Sequence, residues 1–333
     1  MSNKHVNIEV NSNFHHIAGE DLFEKKDQRF KEYRRKWKEW VENFYVGEFP
    51  LFIDIEVTSV CNLRCPFCAT TFRDKEIKKG FISFDIVKKI IDEGAEEGLY
   101  GVKFNIRGEP LLHPEIDKFV KYAKDKGLID VYFNTNAMLL TEEMGAKLID
   151  AGLDRLSISF EGFTKDVFES YRIGADYETV LSNIENFQLL RKKLGADHAK
   201  VRIQTVLLPE LRSTFEEYKK FWRSRADEVG FLDYKEMKVK KKGIRYPWAC
   251  PQIWQRMGIW WDGTMLPCNH DDDGSFDLGN VSQVSVKRAW HSEKLNRIRD
   301  IHKEGMSHSI PVCDGCYLRD SEISKLMARE AKA

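Results

Sequence analysis

The chain has 333 residues, 42% of them hydrophobic, with 53 Lys+Arg set against 53 Asp+Glu. That length buries a sizeable core and suits one large α/β domain with a smaller one attached, not a string of modules. Balanced charge gives no overall field for nucleic acid or an anionic membrane, and no apolar run reaches the roughly 18 residues of a bilayer span. The opening stretch, MSNKHVNIEVNSNFHH, is polar and lacks the apolar centre of a secretory signal, so a cytoplasmic location is expected.

In chain order, residues 1–50 form an N-terminal extension. Within it, DLFEKKDQRFKEYRRKWKEWVENF (21–44) places Phe23, Phe30, Tyr33, Trp37, Trp40 and Phe44 at helical spacing, which predicts an amphipathic helix. From residue 51, apolar or β-branched runs alternate with helical stretches: LFIDIEV, GVKFNI, DVYFNTN, RLSISFE, KVRIQTVLL and FLDYKEMKV. Pro114 suits a first helical turn, and Ser213 with Glu216 reads as a capping box. Strands alternating with helices imply parallel strands and right-handed crossovers. The expected fold is α/β: a partial (β/α)6 TIM-like barrel over 51–239, with an open doubly wound sheet as the other option. Beyond about residue 240 the pattern breaks into short pieces rich in Trp, Gly and Cys, so 240–333 is expected to be a small Cys-rich α+β domain.

The seven cysteines fall as Cys61, Cys65 and Cys68, then Cys250, Cys268, Cys313 and Cys316. An odd number argues against a disulfide framework, and the division into three and four points to metal. The first three follow the first barrel strand, where strand C-termini carry chemistry. Three thiolates hold three irons of a cubane cluster and leave the fourth open to a non-protein ligand. Four thiolates make a closed site, and zinc and a cubane both fit ligation by four cysteines.

CNLRCPFC is the CxxxCxxC signature, and the chain resembles the radical S-adenosylmethionine (SAM) enzymes. The resemblance implies a [4Fe–4S] cluster on Cys61, Cys65 and Cys68. SAM would chelate its open iron and be cleaved reductively to a 5′-deoxyadenosyl radical that abstracts hydrogen from a substrate. Phe67 stands at the family's aromatic position. RGEP (107–110) resembles the GGEP motif, with Gly108 and Glu109 holding the methionine amine and Arg107 departing from the first glycine. Asn134 and Asn136 in NTNA, Ser159 in SFEG and Arg172 in YRIG match positions that contact SAM, Arg172 by pairing with its carboxylate. Glu161 stands where relatives often carry Asp.

The tail, with WWDGTMLPC and CDGC, resembles SPASM/twitch domains. Four cysteines suit the single-cluster form, with a layout similar to 2-deoxy-scyllo-inosamine dehydrogenases. The resemblance therefore implies a second, auxiliary [4Fe–4S] cluster, and a reducing partner such as flavodoxin or ferredoxin. If all seven cysteines are ligands, no thiol remains to quench a product radical. The leading expectation is a radical SAM oxidoreductase acting on a small hydroxylated molecule: a sugar, an aminocyclitol, or a phosphorylated or nucleotide-linked sugar. His270 and Asp271 in HDDDG are candidate bases, KVKKKGIR (238–245) is a basic run available to a phosphate, and His113 is assigned to loop structure. Two alternatives stand beside it: a peptide-modifying maturase, for which residues 1–50 look too short and helical to hold a leader-binding domain, and a non-catalytic zinc-stapled scaffold.

Overall fold

The computed structural model describes residues 6–8, 14–22, 27–234 and 243–331. After β1 (Phe14–Gly19) and α1 (Gln28–Glu42), strands and helices alternate. They run β2 (Phe52–Ile55), α2 (Phe84–Glu97), β3 (Gly101–Lys103), α3 (Ile116–Asp125), β4 (Asp130–Thr135), α4 (Glu142–Asp150) and β5 (Arg155–Ser159). Then come α5 (Tyr177–Lys193), β6 (Lys200–Leu207), α6 (Phe215–Trp222) and β7 (Glu228–Asp233). β2 to β7 lie side by side in sequence order, every neighbouring pair parallel. This is the expected incomplete barrel and not a doubly wound sheet, whose strand order would reverse.

The sheet has nine strands, because segments from outside the alternating region extend both edges. β1 pairs antiparallel with β7. At the other edge β8 (Arg256–Ile259) runs parallel to β2, and β9 (Met265–Leu266) pairs antiparallel with β8. The C-terminal region, expected as a separate domain, therefore shares the barrel's sheet. Beyond β9, α7 (Glu293–Lys303) and α8 (Tyr317–Glu330) complete it. The expected boundary near 240 and most of the basic run 238–245 lie outside the described residues.

The strands alternate in a manner that decides what the barrel can bind. One set of positions (Ile53, Ile55, Val102, Val131, Phe133, Leu156, Ile158, Val201, Ile203 and Val229) is buried in the main apolar core. The intervening positions are largely polar: Lys103, Asn134, Ser159, Arg202 and Gln204 line the lumen, beside Phe52, Tyr132 and Leu232. The apolar core thus lies between sheet and helices, and the barrel interior is left polar.

Helix ends follow local chemistry. The Asp27 side chain accepts from Phe30 N at 2.8 Å and starts α1 there, so the helix is shorter than the 21–44 span expected, and Phe23 lies outside the described residues. Phe44 lies past the helix, in the left-handed region at φ 49°. Its aromatic stripe packs as expected: Phe30, Tyr33 and Trp37 cover Leu51, Phe52 and Tyr100, closing over the N-terminal ends of the first barrel strands. Two expected caps are corrected. Pro114 lies before Glu115, the N-cap of α3, so it precedes the helix. At α6 the N-cap is Thr214 with no side-chain bond, so Ser213 forms no capping box.

Candidate active site

Cys61, Cys65 and Cys68 occupy the loop leaving the C-terminal end of β2. Each sulfur has a neighbour: Leu63 N donates to Cys61 Sγ at 3.4 Å, Arg172 Nη1 faces Cys65 Sγ at 3.8 Å, and Cys68 Sγ lies 2.7 Å from Thr70 Oγ1. Burial raises the Cys61 thiol and pushes Cys65 up to about 11. Buried thiols at that level ionise when a metal takes the proton's place, and N–H donors to sulfur are what ligating thiolates need.

The next strand end contributes a backbone cradle. Gly108 has φ +72°, and a Cβ there would come within 2.2 Å of Thr58 O. Only glycine fits that approach. It sets Glu109 N donating to Val60 O at 2.8 Å and turns the Glu109 carboxylate inward, 2% exposed. That carboxylate accepts from Thr135 Oγ1 (2.6 Å), Asn136 N (2.8 Å) and Leu111 N (3.1 Å). Burial raises its carboxyl above the ordinary value while those bonds draw it back. A carboxylate offers about four acceptor sites, so one remains for a cationic donor such as the amine of SAM.

The other strand-end residues converge on the same place. Asn136 Nδ2 donates to Asn62 Oδ1 at 2.8 Å, joining the end of β4 to the cysteine loop, and Asn134 N donates to Asn105 Oδ1 at 2.8 Å. Phe67, Asn134, Asn136 and Ser159 line one cavity with the three cysteines and Glu109. Arg172 differs from expectation. Its Nε and Nη2 are engaged by the buried Glu161 carboxylate, Nη2 at 2.8 Å, so only Nη1 is directed at the cysteine loop. The Arg172 fork, assigned to a SAM carboxylate, is thus spent within the chain. Arg107, where the family has glycine, grips buried Glu56 through Nε (2.5 Å) and Nη2 (3.0 Å) and stacks on Trp260 at 4.2 Å. His113 serves its loop, with Nε2 donating to Ile82 O at 2.9 Å.

Cys250, Cys268, Cys313 and Cys316 gather close enough that each charge would oppose its neighbours. Burial raises Cys250 and Cys313 well above the ordinary thiol value and pushes Cys268 up to about 12. Among the described residues, no three His, Cys, Asp or Glu side chains converge as around a single metal ion.

Between the two cysteine groups lies the cavity itself, about 1180 Å³ in volume. Its walls include Cys61, Cys65 and Cys68 and also Gln252, Asn269, His270 and Tyr317, which flank Cys250, Cys268 and Cys316. His270 Nε2 lies 3.3 Å from Gln252 Nε2, and its ring meets Tyr317 edge-on with centroids 4.9 Å apart. Asp271 is corrected: its carboxylate accepts from Ser275 N (3.0 Å) and Phe276 N (2.8 Å) and braces the turn, and Asp272 faces the cavity in its place.

Sequence reasoning missed the polar lumen. Against the pull of burial, Lys103 and Arg256 hold the Asp54 carboxyl below its ordinary value, with Lys103 Nζ at 2.8 Å. Arg202 Nε donates to Glu228 Oε2 at 2.5 Å. The signal was present in IDIE, VRIQ and RLSIS: parallel strands buried on both faces are ordinarily apolar throughout, so alternating polar residues mark a lumen that binds something.

Comparison with known proteins agrees with this architecture. A model of the radical SAM superfamily matches residues 55–221, and a model of the SPASM iron–sulfur cluster-binding domain matches residues 250–317. The chain belongs to the radical SAM superfamily. SAM and a [4Fe–4S] cluster are its cofactors, and its SPASM region implies auxiliary iron–sulfur ligation, which replaces the zinc-stapled reading. A probable GTP 3′,8-cyclase of Methanococcus maripaludis is 33% identical over 131 residues, 39% of this chain and 43% of that protein. The chain thus spans under half the length of that curated relative. Among solved structures, BtrN in complex with AdoMet and 2-DOIA superposes with TM-score 0.53 at 18% identity, over 82% of this chain and 94% of BtrN. SuiB of Streptococcus suis, bound to its precursor peptide SuiA, superposes with TM-score 0.66 at 15% identity, over 88% of this chain and 80% of SuiB. Identities this low bear on the fold alone. Among the described residues, no helix is long and apolar enough to cross a membrane.

Proposed function

We propose that this radical SAM enzyme is a dehydrogenase that oxidises a hydroxyl-bearing carbon of a sugar, aminocyclitol or nucleotide-linked sugar. One observation carries the reading: a single cavity is lined both by the three-cysteine loop and by residues flanking the four-cysteine group. When bound, SAM with its cluster supplies hydrogen-atom abstraction, and an auxiliary cluster supplies a one-electron acceptor. Cys61, Cys65 and Cys68 would hold the first group and Cys250, Cys268, Cys313 and Cys316 the second, and oxidation of a hydroxyl-bearing carbon to a carbonyl would remove one hydrogen atom, one electron and one proton in all.

The chain's own residues have separate tasks. Gly108 and Glu109 hold the amine of SAM, with Asn136 fastening their loop to Asn62. Ser159, Asn134 and Phe67 border the same pocket. Asn269 and Gln252 address the substrate. The Asn269 amide bonds Asp54, an acceptor, so Asn269 Oδ1 is left over, buried and without a partner among the described residues; Gln252 Oε1 is likewise unpartnered. Buried polar atoms of that kind are costly unless a ligand completes them, and hydroxyl groups do so. His270, beside them, is the candidate acceptor for the substrate hydroxyl proton. A flavodoxin or ferredoxin is the expected electron donor.

A redox-neutral reaction on a nucleotide is the second reading, favoured by the similarity to GTP 3′,8-cyclases. Peptide modification is the third, resting on the SuiB-like fold. The test is anaerobic incubation of reconstituted protein with SAM, a reductant and a panel of aminocyclitols, nucleotide sugars and GTP, followed by mass spectrometry. The dehydrogenase reading expects 5′-deoxyadenosine in step with a product lighter by two hydrogens. A product isobaric with its substrate overturns it in favour of the second reading.

A further inference from the structure

His302 sits on α7 with no exposed surface. Its Nδ1 accepts a hydrogen bond from the backbone N–H of Cys250 at 3.0 Å. A ring nitrogen that accepts carries no proton, so the proton of this imidazole is on Nε2. Nε2 lies 3.6 Å from Cys313 Sγ. One side chain therefore spans two segments far apart in sequence, touching the backbone of one cysteine of the C-terminal group and the sulfur of another. The ring is packed in place, edge-on to Trp254 with centroids 6.3 Å apart. A structural histidine commonly bonds a carbonyl or a carboxylate; this one bonds a thiol that belongs to a metal-type group.

Hydrogen bonds to cluster sulfurs offset the negative charge gained on reduction, and so raise the reduction potential. We propose that His302 is a positioning residue that donates its Nε2–H to the Cys313 thiolate and thereby makes the auxiliary cluster a better electron acceptor. This deepens the proposed function and rests on its assignment of Cys250, Cys268, Cys313 and Cys316 to one cluster.

The test reads the potential, not turnover. In full-length Cys61→Ala/Cys65→Ala/Cys68→Ala protein only the C-terminal cluster remains, and an EPR-monitored redox titration gives its midpoint. His302→Phe, which keeps a ring and removes the donor, is expected to lower that midpoint. His302→Gln, which returns an N–H, is expected to recover part of the shift. A loaded His302→Phe cluster whose midpoint superimposes on the parent overturns the proposal. Pulsed EPR of the parent labelled with 15N-histidine reads the same contact without any change in side-chain volume. A histidine-nitrogen coupling is expected, and its absence overturns the proposal even if His302→Phe does not load. Iron and sulfide analysis separates the two levels. A loaded but unshifted cluster removes only the role of His302. No cluster in the triple variant removes the four-cysteine assignment and this inference with it.

Discussion

Gly108 and Glu109 show how much a single position decides in this site. A methyl at Gly108 would stand 2.2 Å from Thr58 O, and the left-handed φ adds strain, so the strand-end loop has to move to accept it. Gly108→Ala is expected to weaken SAM binding while leaving the iron content on Cys61, Cys65 and Cys68 unchanged, measured by equilibrium binding beside iron analysis. Glu109→Gln keeps the shape, removes the charge and sets an amide nitrogen against one of the N–H or O–H donors it now accepts. Loss of a charge-assisted bond is worth about 1.5–3 kcal/mol, roughly a 10- to 150-fold rise in the dissociation constant for SAM. Wild-type affinity in Glu109→Gln would remove the carboxylate from the amine-binding role. Arg107 and Arg172 mark what local patterns conceal. Both forks close on buried carboxylates, Glu56 and Glu161, and the Arg107 partner is 51 residues distant. No motif announces such pairs, because the fold, not the spacing, makes them neighbours.

At the scale of elements, strand and helix succession between 51 and 233 was legible, because apolar runs of strand length alternate with capped amphipathic helices. The added edges were not. FHHIAG and RMGI are short and carry no clear period, and each becomes a strand only by pairing with a distant one. The expected start of α1 was early because the aromatic spacing continues upstream, whereas the Asp27 cap sets where helical backbone begins. That helix carries its own prediction. Trp37 is 5% exposed, meets Phe52 edge-on at 6.3 Å and lies under Arg256 at 4.9 Å. Trp37→Ala is expected to cost about 3–5 kcal/mol, read as a lowered denaturation midpoint. Because Trp37 also walls the cavity, substrate affinity is expected to fall with it. Unchanged stability would show that α1 is not anchored through this ring.

Considered whole, the molecule ties its two ends together through the last barrel strand. Asp233, at the end of β7, bonds His15 Nε2 at 3.1 Å on β1 and Lys325 Nζ at 2.9 Å on α8. The His15 bond and Lys325 hold its carboxyl down at about 2, against an ordinary 3.8. The stability this carboxylate contributes is fully present above pH 3.8 and is lost as pH falls toward 2. Asp233→Asn is expected to flatten that limb of the acid-unfolding curve by losing the contribution at neutral pH, so that the variant is less stable than wild type above pH 3.8 and the two converge near pH 2. An unchanged acid limb would show that the two ends are held elsewhere.

The pairing of β8 with β2 sets Arg256 opposite Phe52, roughly 200 residues later in the chain. Synthesis at about 5–20 residues per second separates the two strands by on the order of 10–40 seconds. The strand that launches the cysteine loop is therefore among the first made, and one of its edges is among the last covered. An exposed strand edge is a template for wrong partners. Truncation anywhere before residue 256 leaves that edge bare for good, so the C-terminal segment guards the solubility of the nascent barrel as well as walling its cavity.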